Sequence, residues 1–180
     1  MFVVAVSEGC ELRLLEECHV PALHRVIERN YESLEPWFAW AHPAPAEEDT
    51  RAFVGRALRQ FAQGEGFHCG IWIDGNLAGS IGLHRIDWQH RHVSLGYWLD
   101  AAVRGRGLMT ACCRAVLNHV FGELALERVE IRCATGNTKS CAIPERLGFR
   151  KEGVLRRVER VGDRYNDLVV WSLLREEWKG

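Results

Sequence analysis

Apolar and polar positions along the chain follow two alternating rhythms, and each change of rhythm marks a new element. Leu12 and Leu14 alternate with Glu11 and Arg13, which predicts a first strand. From His19 to Leu34 the period lengthens, with Val20, Leu23, Ile27, Tyr31 and Leu34 on one helical stripe. Glu47, Glu48 and Asp49 then open a second helix, where acidic residues suit the positive end of the helix dipole. Phe53, Val54, Ala57, Leu58 and Phe61 form its buried stripe. After Phe67 the period falls to two. Ile71-Trp72-Ile73, Asp74-Gly75-Asn76 and Leu77 to Ile86 predict a hairpin, because Asp-Gly suits a tight turn. A polar loop from Asp87 to Arg91 leads to a strand in which Leu95, Tyr97 and Leu99 alternate with Ser94, Gly96 and Trp98. Met109, Cys113, Val116, Leu117 and Val120 fall on one face of the next helix, and Val129, Ile131 and Cys133 mark the next strand. A helix then ends at Leu147 with Gly148 as its stop, and Pro144 requires it to be short or bent. Arg150–Arg160 and Tyr165–Leu174 are the last strands, joined around Gly162-Asp163. This order predicts one α+β domain over residues 1–180, a mixed sheet of about seven strands with four main helices.

Composition narrows the functional classes. With 47% apolar residues in 180, a core forms without disulfides or metal. A formal net charge of −1 gives no general nucleic-acid footprint, and no apolar run approaches membrane-spanning length. The apolar start from Phe2 to Val6 lacks a basic leader and stops at Glu8, so no secretory signal is expected. Seven cysteines without a C-x-x-C pair read as reduced thiols of a cytoplasmic protein. His84, His90 and His92 could together gather a metal, but a polar loop explains His90 and His92 as well, and no metal site is expected.

The stretch from Ser94 to Thr110 carries the main chemical signal. It reads as strand, glycine-bearing turn and helix, with Arg104-Gly105-Arg106-Gly107-Leu108-Met109 at the junction. Glycines let a backbone approach a ligand closely, and the first N–H groups of a helix point outward without internal partners. Such a junction binds anions, phosphate above all. The dinucleotide fingerprint and the P-loop are both absent, because there is no third glycine and no Gly-Lys-Ser/Thr.

The turn resembles the pyrophosphate-binding turn of the GNAT N-acetyltransferases, Gln/Arg-x-x-Gly-x-Gly/Ala. Arg104 and Gly107 match, while Met109 stands where the family has a small residue. Asn137-Thr138-Lys139-Ser140 and Glu145-Arg146-Leu147-Gly148-Phe149 resemble the signature of the branch that acetylates ribosomal-protein N-termini. Leu34-Glu35-Pro36-Trp37, Trp40-Ala41 and Gly96-Tyr97-Trp98-Leu99 are similar to that branch as well. The resemblance implies acetyl-CoA as donor. Its pantetheine arm would lie near Leu99, its pyrophosphate on Arg104, Gly105, Arg106, Gly107, Leu108 and Met109, with Asn137 as a further contact. It also implies Ser140 as the acid for the leaving thiolate and Glu159 as the base for the amine.

Each assignment has a plainer counterpart. Asn137 reads equally as a helix N-cap, Ser140 as a first-turn serine, and Glu159 as an ion-pair partner of Arg156, Arg157 or Arg160. Trp37 and Trp40, in a segment broken by Pro36, Pro43 and Pro45, either pack over the core or line a substrate mouth. Cys133 is a core cysteine or lies near the cofactor thiol. An N-terminal amine with a pKa of about 8 needs only a weak base, whereas a lysine near ~10.4 needs a strong one. Three readings stay open. The first is acetylation of a protein N-terminus, ribosomal by family default. The second is acetylation of a small amine such as a polyamine or aminoglycoside, and the third is an acyl-CoA-binding regulatory module without turnover. A homodimer is expected from the seven Trp and the aromatic Trp37–Trp40 segment.

Overall fold

The computed structural model describes residues 3–180, so Phe2 lies outside the described residues. The strand rhythm extends further toward the start than expected. β1 (Val3–Ser7) precedes β2 (Cys10–Leu14) and pairs with it antiparallel, which raises the sheet to eight strands. The single long helix expected from His19 to Leu34 is broken into α1 (Val20–Arg29) and a one-turn α2 (Tyr31–Leu34). Asn30 makes the break. Its buried side chain donates to the Val26 carbonyl at 2.9 Å and accepts from the Ala101 N–H at 2.8 Å. The proline-rich segment that follows has one turn of 3₁₀ helix and leads to α3 (Glu47–Ala62).

β3 (His68–Ile73) and β4 (Asn76–Leu83) form the expected hairpin, with Asp74 and Gly75 both at positive φ in the turn. β5 (His92–Leu99), α4 (Leu108–Gly122), β6 (Arg128–Ala134), α5 (Thr138–Arg146), β7 (Arg150–Val161) and β8 (Arg164–Leu174) complete the chain. The sheet order is β1-β2-β3-β4-β5-β6-β8-β7, with every neighbouring pair antiparallel except β5 and β6. α4 packs on one face over Leu12, Ile71, Ile81, Leu95 and Val129, while α1 and α3 cover Trp72 and Leu77 on the other.

The parallel pair decides where a ligand enters. β5 and β6 are in register only at His92–Ser94 against Arg128–Glu130. Beyond that the two strands diverge, although β5 continues to Leu99 and β6 to Ala134. Among the described residues this is the one parallel junction, and where it parts the backbone groups on both lips lose their ladder partners and require others when covered. The glycine turn, the start of α5 and the proline-rich segment all lie around this gap.

Candidate active site

The glycine turn has the geometry of an anion cradle. Gly105 and Gly107 sit at φ of +82° and +75°, a region that favours glycine, and the space where their β-carbons would point is empty. Gly107 caps α4, whose first helical bond runs from the Ala111 N–H to the Gly107 carbonyl at 3.1 Å. The N–H groups of Leu108, Met109 and Thr110 therefore have no carbonyl earlier in the helix to bond. Met109, the departure from the family pattern, turns its side chain into the core at 8% exposure and leaves its backbone at the turn. Leu99 is similarly buried, and Arg106 is exposed.

Arg104 behaves differently from a phosphate-binding cation. Its Nε donates to the Leu99 carbonyl at 2.8 Å and its guanidinium to Ser33 Oγ at 3.1 Å. Burial lowers its pKa from the ordinary arginine value. The side chain thus braces the turn against the end of β5 and against α2.

At the gap between β5 and β6, four side chains converge. Ser140 Oγ donates to Cys133 Sγ at 3.3 Å, and the Tyr97 phenol donates to the Ser140 carbonyl at 3.2 Å. Asn137 is the N-cap of α5, its Oδ1 accepting from the Ser140 N–H at 3.2 Å. Burial pushes the Cys133 thiol up to about 12, which makes it a poor nucleophile at neutral pH. Burial likewise raises the Tyr97 phenol well above its ordinary value.

The proline-rich segment forms the opposite wall. The Trp37 ring lies against Gly136, 3.5 Å from where a β-carbon would stand, and so borders the loop that carries Asn137. Trp40 stacks at 6.2 Å on Trp98 of β5 and at 5.3 Å on Phe38, with 45% of its surface exposed. Asn166 Nδ2 donates to the Pro36 carbonyl at 3.3 Å, and Arg164 pairs with Glu35 at 2.9 Å. These bonds attach the segment to the β7–β8 hairpin.

Glu159 stands opposite Asn166 in the β7–β8 register, just past a bulge at Leu155–Glu159 in which Arg157 takes φ +50°. The Asp167 carboxylate accepts from the Arg157 N–H at 2.7 Å and fixes that bulge. The guanidinium of Arg157 lies over Tyr165, and that of Arg160 reaches Asp163 at 3.5 Å. Arg157 thus meets an aromatic ring and Arg160 a different carboxylate. Burial raises the Glu159 carboxyl above its ordinary value.

Of the histidines, His90 lies in the loop and His92 is the first residue of β5. His90 and His92 both meet Asp87, at 3.0 and 3.6 Å, while His84 packs edge-on to His68. Two bonds of the site escaped the sequence. Tyr97 lay within the Gly96-Tyr97-Trp98-Leu99 resemblance, but nothing local marked it as the partner of Ser140, and Asn166 carried no motif.

Comparison with known proteins gives the family of the fold. The family model of the acetyltransferase (GNAT) domain matches residues 10–150. YdaF of Bacillus subtilis, provisionally named a ribosomal N-acetyltransferase, is 39% identical over 100% of this chain and 99% of its own. The ribosomal-protein-serine acetyltransferase of Escherichia coli is 30% identical over 94% of each chain. Among solved structures, RimL, a ribosomal-protein α-N-acetyltransferase, superposes with a TM-score of 0.91 at 27% identity, over 96% of this chain and 97% of its own. That RimL structure contains coenzyme A joined to a cysteine of the protein by a disulfide.

Proposed function

Because the chain belongs to the GNAT acetyltransferase family, we propose that it moves acetyl from acetyl-CoA to the N-terminal α-amine of a ribosomal protein, by direct attack within a ternary complex. The acceptor class rests on the end-to-end similarity to ribosomal acetyltransferases. The chemistry rests on one observation, the Ser140 hydroxyl held on Cys133 Sγ beside the gap where β5 and β6 part.

The residues present suit the donor. The amides of the Arg104–Met109 turn and the empty space beyond Gly105 and Gly107 would take its pyrophosphate. The lip of β5 between Ser94 and Leu99, beyond its register with β6, would take its pantetheine arm, and the amide nitrogen of Asn137 remains for a further contact. When bound, acetyl-CoA supplies the activated acyl group. Glu159, with its raised affinity for a proton, takes one from the amine, directly or through water. Ser140 gives one to the departing sulfur, and solvent returns the balance. The C–N bond forms as the C–S bond breaks, so one proton passes in net from nitrogen to sulfur. Cys133, held protonated by burial, is unsuited to carry the acetyl group itself. Trp37 and Trp40 line the mouth through which the acceptor N-terminus enters. A cytoplasmic location accompanies this reading, and no helix among the described residues is long and apolar enough to cross a membrane.

The test is release of coenzyme A with a panel of ribosomal N-terminal peptides, spermidine and an aminoglycoside. Turnover with peptides alone is expected. Turnover with the small amines alone overturns the acceptor assignment, and no turnover with any acceptor favours the regulatory module. Ser140→Ala should slow single turnovers by about tenfold to a thousandfold at every pH. A fully active Ser140→Ala enzyme removes the donor from the scheme.

A further inference from the structure

Pro144 lies inside α5. In a regular helix the N–H of a residue donates to the carbonyl four positions earlier, which for position 144 is that of Ser140. Proline has no N–H, so this bond is missing, and a carbonyl left without a partner costs stability. The Ser140 carbonyl is bonded nonetheless. Tyr97 reaches it from β5, across the gap, at 3.2 Å. The phenol is packed against the core beneath α4 and counts Cys133 among its side-chain partners, so it is confined on several sides. Ser140 is consequently held at three points. Its N–H is on Asn137 Oδ1, its carbonyl is on Tyr97, and its hydroxyl is on Cys133 Sγ.

We propose that Pro144 and Tyr97 form a single positioning device for the transfer: Pro144 withholds the helical donor from the Ser140 carbonyl, and Tyr97 takes that carbonyl and fixes the Ser140 hydroxyl on the sulfur side of the gap. The inference rests on the reading of Ser140 as the acid. Tyr97 acts through Ser140 and is a positioning residue. Its hydroxyl ties the first turn of α5 to β5, so the acid is located relative to the strand that carries the donor. A helix bond from residue 144 would satisfy the carbonyl equally well but would tie Ser140 only to its own helix, which can shift as a unit. A misplacement of about 1 Å in a catalytic group is enough to cost on the order of a hundredfold in rate.

Four variants separate positioning from plain stability: Tyr97→Phe, Pro144→Ala, their combination, and Ser140→Ala. Melting temperature, coenzyme A affinity by calorimetry and single-turnover rate are measured on each. Tyr97→Phe keeps the ring and removes the donor. It should lower the melting temperature and slow transfer by about tenfold or more, with coenzyme A affinity unchanged. Adding Pro144→Ala to Tyr97→Phe restores an N–H to the orphaned carbonyl, so the melting temperature should recover while the rate stays low. If the rate recovers together with the melting temperature, the bond is structural and the proposal is wrong. If the melting temperature does not recover, the link between Pro144 and Tyr97 is wrong. A slow Ser140→Ala beside a full-speed Tyr97→Phe overturns this inference alone. A full-speed Ser140→Ala overturns the acid assignment and the inference together.

Discussion

Arg104 holds the carbonyl of Leu99 at 2.8 Å, and through this bond the residue that opens the glycine turn also closes the end of strand β5. A planar guanidinium serves two acceptors at once here, Leu99 and Ser33. A lysine ammonium lacks the fixed fork that such a bridge needs. Arg104→Lys is therefore expected to lower the melting temperature and to weaken coenzyme A binding, although charge is conserved. The affinity lost should be the same at low and high salt, because the side chain acts by bracing the turn. Calorimetric titrations at two ionic strengths check this. If Arg104→Lys binds coenzyme A as the parent does, the guanidinium acts as a positive charge and nothing more.

Gly107 gives the sharpest test of the cradle. At φ +75° a branched side chain is strained, and its atoms would fill the open space in which the proposed pyrophosphate would lie. Gly107→Val should cost at least about tenfold in coenzyme A affinity, or roughly 1.4 kcal/mol. Gly122, at the far end of α4 with open space around it, provides the control, since Gly122→Ala should bind normally. A folded Gly107→Val protein with unchanged calorimetric affinity would reject the turn as the pyrophosphate site.

The sheet, its hairpins and the glycine turn were legible because each depends on local rules: period two, Asp-Gly, and glycine ahead of an apolar helical face. β1 was missed because Val3–Ser7 is a half-exposed edge strand, with only part of the apolar alternation that marks a buried one. The break at Asn30 was missed because the apolar stripe runs unbroken through it. Only the distant Ala101 N–H, which the Asn30 side chain satisfies, explains it. Arg104 was legible as a motif position but not in its direction, since nothing local says that a basic side chain on a turn will fold inward onto its own strand. The bonds made by Tyr97 and Asn166 were hidden for a related reason. Their partners are 43 and 130 residues away in sequence, and hydrogen bonds of that reach leave no periodicity.

The expectation of a dimer moves to a different surface. Of the tryptophans, only Trp40 and Trp88 are exposed, at 45% and 50%, so tryptophan content does not point to an unburied patch. Val154, Leu155 and Val158 are exposed on the edge strand β7 at 43%, 38% and 49%, and Tyr165 joins them from β8 at 49%. Pairing with a second copy would cover this apolar row. We predict a dimer at micromolar concentration by light scattering, reduced to a monomer by Val158→Asp. A monomeric parent protein ends the idea.

Glu159 gives a prediction in which stability and activity move in opposite directions. Burial raises its carboxyl above the ordinary value, so between the unfolded and folded pKa values the folded state binds more protons. Folding stability contributed at this site is therefore lost as pH rises through that window, and at neutral pH the folded protein carries an incompletely solvated charge. Glu159→Gln removes the charge. The variant should melt higher than the parent at pH 7 and equally below the unfolded pKa, where both side chains are neutral. Turnover should follow the other course. Below pH 8 an N-terminal amine is mostly protonated and needs a base, so the defect in Glu159→Gln should be large there. As free amine becomes abundant above the amine pKa of about 8, the defect should shrink. Single-turnover rates and melting curves across one pH series measure both. A rate defect constant from acid to alkaline pH would make Glu159 an acceptor-binding residue. A variant that melts lower at pH 7 would show that the carboxylate is paired in the folded protein, and would remove the strained, proton-hungry group on which the base assignment depends.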